Sequence, residues 1–65
     1  MRGVVYATTV VRPRGEDPYN VCLLDLEDGE RVMGRVEGLE PQDVTIGLRV
    51  QARAGDDGVV VYDPL

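Results

Sequence analysis

Tyr19-Asn20-Val21-Cys22-Leu23-Leu24-Asp25-Leu26-Glu27-Asp28-Gly29-Glu30-Arg31-Val32-Met33-Gly34-Arg35-Val36 reads as two strands joined by a tight turn. Asp28-Gly29 lies between two apolar runs, and such a pair is a strong hairpin signal, because glycine takes up the positive φ that a tight turn needs. Side chains alternate between the faces of a strand. Cys22, Leu24 and Leu26 therefore share one face, while Val21, Leu23 and Asp25 share the other. In the run Arg31 to Val36, the residues Val32, Gly34 and Val36 oppose Arg31, Met33, Arg35 and Glu37. Gly34 falls mid-strand, where glycine commonly marks a sharp bend or bulge.

The same punctuation continues on both sides of this hairpin. Upstream, Val4 to Val11 is a long apolar run that ends at Arg12-Pro13, and Pro13 to Pro18 reads as a loop. Downstream, Gly38 to Val44 reads as a loop holding one helical turn, with Pro41 suited to its first position. Leu48 to Ala54 follows Gly47 and alternates, with Leu48, Val50 and Ala52 opposite Arg49, Gln51 and Arg53. The turn Gly55-Asp56-Asp57-Gly58 leads to Val59 to Tyr62. The first and last runs are too uniformly apolar for faces to be assigned. Twelve residues are Val and one is Ile, a composition suited to pleated sheets. Five short strands with no helical stripe predict an all-β chain. A long first strand, a hairpin joining the second and third, and a short interruption before the fourth predict a small five-stranded antiparallel OB-fold barrel, as a single domain over residues 1–65. The interruption is short for the helix that usually plugs such a barrel, so an SH3-like barrel is the alternative. Shared parity predicts an interior of Cys22, Leu24, Leu26, Val32, Val36, Leu48 and Val50.

Composition narrows the function. A 65-residue chain buries only about 60% of its unfolded surface, and domains of this size lean on disulfides, metals or partners. Cys22 is the only cysteine, so no disulfide forms within the chain. Without histidine or further cysteines the usual zinc ligands are missing. The remaining support is a partner, either another protein or a second copy. With no His and no Ser, the usual general base and the Ser-His-Asp arrangement are excluded, which argues against an enzyme. The net charge is −5, with 12 acidic residues against seven arginines. Phosphate backbones repel such a chain, which disfavours nucleic acid. Arg-only basicity is explained by GC-rich coding. A lone thiol fits a reducing cytoplasm. No apolar run approaches the ~20 residues of a membrane helix, and Met1-Arg2-Gly3 opens no apolar signal region.

Four stretches in order resemble one family. They are Val4-Val5-Tyr6-Ala7-Thr8-Thr9-Val10-Val11-Arg12-Pro13, Pro18 to Gly29, Arg31 to Gly38, and Asp43-Val44-Thr45-Ile46-Gly47-Leu48-Arg49-Val50. Together they resemble the acyl-CoA-associated OB-fold family from about Gly3 to Tyr62. The resemblance implies a non-catalytic companion of thiolase-like enzymes. Such members assemble with thiolases or with related acyl-CoA condensing, aldolase or acyltransferase enzymes, and help form the passage for acyl-CoA groups. Members usually carry a rubredoxin-like zinc ribbon ahead of the barrel. This chain starts almost directly at the first strand with one cysteine, so the ribbon is absent, carried on another chain, or removed. No cofactor is expected, beyond acyl-CoA contact made through the partner.

OB barrels commonly bind across the outer face of strands two and three, flanked by the one–two and four–five loops. Arg31, Met33 and Arg35 project from that face, Leu23 lies beside Met33, and Arg12 and Arg14 flank the first loop. Forked guanidinium donors suit carboxylate and phosphate partners. The expected site is therefore a docking patch for an acidic surface or the phosphates of CoA. The plainer alternative is a solvated strand face on which Asp25, Glu30 and Glu37 pair locally. Tyr19, beside Pro18 at a loop end, is expected to be the most exposed of Tyr6, Tyr19 and Tyr62, serving as an interface residue or as a cover for the barrel mouth. Cys22 has no base to activate it and reads as a core thiol. Asp56-Asp57 and Glu16-Asp17 read as turn or solubility residues rather than acid/base pairs or calcium ligands. Gly55 to Gly58 is no phosphate loop, since no Lys follows.

Overall fold

The computed structural model describes residues 1–65. Five strands form: β1 (Arg2–Val11), β2 (Tyr19–Leu26), β3 (Arg31–Gly34), β4 (Arg49–Ala54) and β5 (Val60–Pro64), with a single 3₁₀ turn over Pro41–Asp43 between β3 and β4. Pro41 opens that turn, as its fixed φ favours. The strands lie in the order β3-β2-β1-β4-β5, with all adjacent pairs antiparallel. The sheet closes where Val36 bridges Tyr62 in parallel. A β1–β2–β3 meander extended by β4 on the far side of β1 and then β5, and closed by a parallel contact between the segment after β3 and β5, is the OB-fold barrel, and the SH3-like alternative is set aside.

Two Asp-Gly turns set the hairpins. Asp28 Oδ1 accepts the Glu30 N–H at 3.0 Å, and Asp57 Oδ1 accepts the Val59 N–H at 3.0 Å. The glycine between each pair has positive φ, 90° at Gly29 and 82° at Gly58, which a side chain would strain.

The interior follows the predicted parity. Cys22, Leu24, Val36 and Val50 are buried, and Leu26, Val32 and Leu48 are half-buried against them. Val5, Val44 and Tyr62 complete the core. The uniform β1 run has a structural cause. Val5 pairs with Leu24, but the next pair is Ala7 with Leu23, which leaves Tyr6 as a bulged residue. The bulge reverses parity: Gly3 and Val5 pair with inward-facing partners before it, and Thr8 and Val10 do so after it.

Four expectations need correction. β3 ends at Gly34, and Val36 joins the barrel only through its bridge to Tyr62. β4 starts at Arg49, because Leu48 and Gly47 are spent on hydrogen bonds with Val5 at 2.9 and 2.8 Å; β5 runs on to Pro64. Gly34 is not the bulge, which lies at Tyr6. Glycine is needed at position 34 because a Cβ there would stand 2.8 Å from Tyr62 Cε2 and 3.0 Å from Leu24 Cδ1.

Where β3 leaves β2, a side chain replaces the ladder. Asn20 Nδ2 donates to the Val36 carbonyl at 2.7 Å, and its Oδ1 accepts the Val36 N–H at 2.8 Å. Cys22 Sγ lies 3.3 Å from Asn20 Oδ1 and 3.4 Å from Thr8 Oγ1. The buried thiol thus sits in a neutral polar pocket. No helix in the structure is long and apolar enough to cross a membrane.

Candidate functional site

The register of β1, β2 and β3 lays out the outer face in rows. Val4, Asp25 and Arg31 form one row, and Ala7, Leu23 and Met33 the next. Met33 stands out from this face at 74% exposure, while Leu23 opposite it is half-buried. An exposed apolar side chain of this size, flanked by arginines, is a feature of adaptable interfaces.

Arg31 is locked in place. Its Nε reaches Asp25 Oδ1 at 2.6 Å, its Nη2 reaches Oδ2 at 3.2 Å, and its Cζ lies 3.6 Å above the Tyr6 ring centroid. The β1 bulge turns Tyr6 out beneath it. Tyr6 is therefore more exposed than Tyr19, at 50% against 39%, contrary to expectation, and Tyr62 is buried in the core. Hydrogen bonding from Arg31 holds the Asp25 carboxyl below its ordinary range.

Next to Met33 a second set of ion pairs runs from the segment after β3, through Arg53 of β4, to β5. Glu37 receives Arg35 Nη2 at 2.5 Å and Arg53 Nη2 at 3.0 Å, and Arg53 Nε reaches Asp63 Oδ2 at 2.7 Å. Hydrogen bonds from Arg35 and then Arg53 lower the Glu37 pKa, and Arg53 lowers that of Asp63. The Arg53 guanidinium is in turn held more firmly protonated by Asp63 and then Glu37. The set is electrically balanced.

These ion pairs border an open groove of about 690 Å³ between β2, β3 and the β4–β5 hairpin. Of the predicted site residues, Tyr19, Met33 and Arg35 line it; Leu23 and Arg31 lie on the adjoining rows, and Arg12 and Arg14 are not part of it. Of the four arginines expected in the docking patch, only Arg35 lines the groove. Arg31 and Arg35 are spent on local carboxylates, while Arg12 and Arg14 stand exposed without ion pairs on the β1–β2 loop. Arg53 and Val59 to Val61, not expected at the site, and Asp56-Asp57, expected only as turn or solubility residues, form the far wall. Their signal was topological: the parallel closure alone brings β5 beside β3. Asn20 was legible, because its even number places it on the inward parity of β2. The face offers apolar surface and paired charges, an arrangement that suits binding.

The family described as the C-terminal OB-fold domain of ChsH2 matches residues 1–55. A DUF35 domain-containing scaffold protein of Methanocaldococcus jannaschii is 36% identical over 94% of this chain and 51% of its own length. Among solved structures, a chain of the Ltp2-ChsH2(DUF35) aldolase superposes with a TM-score of 0.75 at 30% identity, over 97% of this chain and 56% of that one. The chain spans about half the length of both relatives.

Proposed function

This chain belongs to the family of the ChsH2 C-terminal OB-fold domain, and from that membership we propose that it is a non-catalytic docking module of acyl-CoA metabolism. Residues 1–65 act as one OB-fold unit in the cytoplasm. The unit docks on a thiolase-like or related acyl-CoA enzyme and helps assemble or line the passage through which acyl-CoA groups move. The observation that carries this reading is similarity along nearly the whole chain to a protein named as a scaffold and to a chain of an aldolase assembly. The outer face supports it. Met33 supplies an exposed apolar anchor, Leu23 and Tyr19 extend the apolar area, and Arg31 and Arg35 form a charged rim. Of the four arginines expected at the site, Arg12 and Arg14 are the ones free to meet carboxylates or CoA phosphates. Interfaces are commonly built this way, with an apolar centre inside a polar rim.

Co-expression of the tagged chain with an acyl-CoA enzyme encoded beside it tests the reading. A complex that co-elutes in size exclusion is the expected result, with Met33→Asp at least about tenfold weaker in binding because it places a charge at the anchor. The isolated chain should show no turnover of acyl-CoA substrates. Failure to form a complex with any thiolase, aldolase or acyltransferase encoded nearby would overturn it.

A further inference from the structure

We infer that the gap between β3 and β5 is a strand-addition site for an extended, apolar segment carrying a basic residue, supplied by the partner enzyme; this rests on the docking reading above. β3 and β5 join at the Val36–Tyr62 bridge. There the Tyr62 N–H donates to the Arg35 carbonyl at 3.1 Å, and the Tyr62 carbonyl accepts the Glu37 N–H at 2.8 Å. Upstream the pairing stops, and the groove opens between Met33, Gly34 and Arg35 on one side and Val59, Val60 and Val61 on the other.

Main-chain N–H and C=O groups point alternately to the two sides of a strand. Val60 therefore points both groups as Tyr62 does, away from β4 and into the groove. Val36 turns its own pair toward Asn20 of β2, so Met33, of opposite parity, points away from β2. Neither Met33 nor Val60 makes a main-chain hydrogen bond outside the ladders. Both strands thus present an open edge to one groove.

Open edges are usually blunted by lysine, proline or inward charge. Here the stretch Val59 to Tyr62 contains none of these. Met33, Val59 and Val60 are instead exposed at 74%, 59% and 49%. Main-chain pairing to such an edge gives affinity, and pockets for alternate side chains give selectivity; Val21 and Val61 line the groove where those side chains would rest.

Charge selects the occupant. Arg35 and Arg53 are neutralised by Glu37 and Asp63, whereas Asp56 and Asp57 on the groove wall have no cation partner. The lip is therefore net acidic, which repels CoA phosphates and nucleic acid and favours a peptide segment with a lysine or arginine.

The probe is a blocked heptapeptide alternating arginine and valine, titrated against the full chain and followed by amide NMR shifts. Its control has proline in place of the central valine. Val60→Pro removes a groove-facing N–H, at an edge position where proline is tolerated, and Val60→Thr retains it. The alternating peptide should bind below about 1 mM, shifting Met33 and Val60, and should bind at least about tenfold more weakly to Val60→Pro but nearly unchanged to Val60→Thr. The proline peptide should lose at least about tenfold on the unaltered chain, a comparison that stands even if Val60→Pro unfolds. No binding up to about 1 mM, equal affinity of the two peptides, or equal affinity for a folded Val60→Pro would overturn the inference. A partner complex that forms but ignores Val60→Pro would sink this site and leave docking intact. Peptide binding without any partner complex would do the reverse.

Discussion

The side-chain amide of Asn20 makes two hydrogen bonds to the main chain of Val36, donating to its carbonyl at 2.7 Å and accepting its N–H at 2.8 Å. A strand partner would form the same pair of bonds. They tie the broken end of β3 to β2 while the flanking Arg35 carbonyl and Glu37 N–H bond to Tyr62 of β5. The groove and its ion pairs both depend on that junction, because it fixes where β3 stops running beside β2 and turns toward β5.

Asn20→Leu should cost about 2–6 kcal/mol of stability, since it strands a buried N–H and a buried carbonyl at about 1–3 kcal/mol each. Urea unfolding followed by circular dichroism measures it. For a domain whose core supplies only about 3–5 kcal/mol, this approaches the whole stability. A loss under about 1 kcal/mol would mean that water or a shifted strand replaces the amide.

Gly34→Ala should destabilise by about 1–3 kcal/mol through overpacking. The new methyl would meet the Tyr62 ring edge at 2.8 Å. Combining it with Tyr62→Leu should give less than the sum of the single losses, because the two positions share one contact. Simple additivity would place the strain elsewhere.

Cys22 is fully buried, so its thiol should react with a small disulfide reagent at least about a hundredfold more slowly in the native chain than in denaturant, reflecting an opening free energy of a few kcal/mol. Labelling at the denatured rate would contradict the register of β2.

Acid should weaken the fold modestly through its surface carboxylates. The pKa values of Asp25, Glu37 and Asp63 are all lowered by their arginine partners. A carboxylate whose folded pKa lies below its unfolded value adds stability that is fully present above about pH 5 and is lost as the pH falls through the folded value. The thermal midpoint should therefore drop on titration below about pH 4, and less steeply in high salt, because these pairs are exposed. Glu37→Gln with Asp63→Asn should flatten that acid limb; an unchanged slope would assign acid sensitivity to other groups.

Arg31→Gln with Arg35→Gln should leave the thermal midpoint within about 5 °C, since exposed ion pairs contribute little. It should slow association with the partner enzyme at low salt, because rim charges steer encounter. Normal association would assign this face to solvent.

The residue order by itself determined the strand count, both Asp-Gly turns and the inward parity of β2 and β4. These are local matters: alternation and turn chemistry act within a few residues, so alternation alone puts Leu24 and Val50 inside. Asn20 carried the same parity and lay on the inner face for the same reason. Only the tertiary structure decided the rest. The Tyr6 bulge reverses the faces of β1, and whether an extra residue is absorbed depends on the partner strand. Gly34 looked like a bend, yet it makes room for a ring 28 residues away in sequence. The arginines looked like one patch because alternation put Arg31 and Arg35 on one face and OB barrels flank that face with the first loop, which carries Arg12 and Arg14. Arg31 instead pairs with Asp25 across the β2–β3 hairpin and stacks on Tyr6, Arg35 pairs with Glu37 two residues along the chain, and closure of the barrel brought Val59 to Val61 up beside Met33. Long-range pairing of this kind leaves no local signature, because it is set by how β3 and β5 meet rather than by the residues around either one.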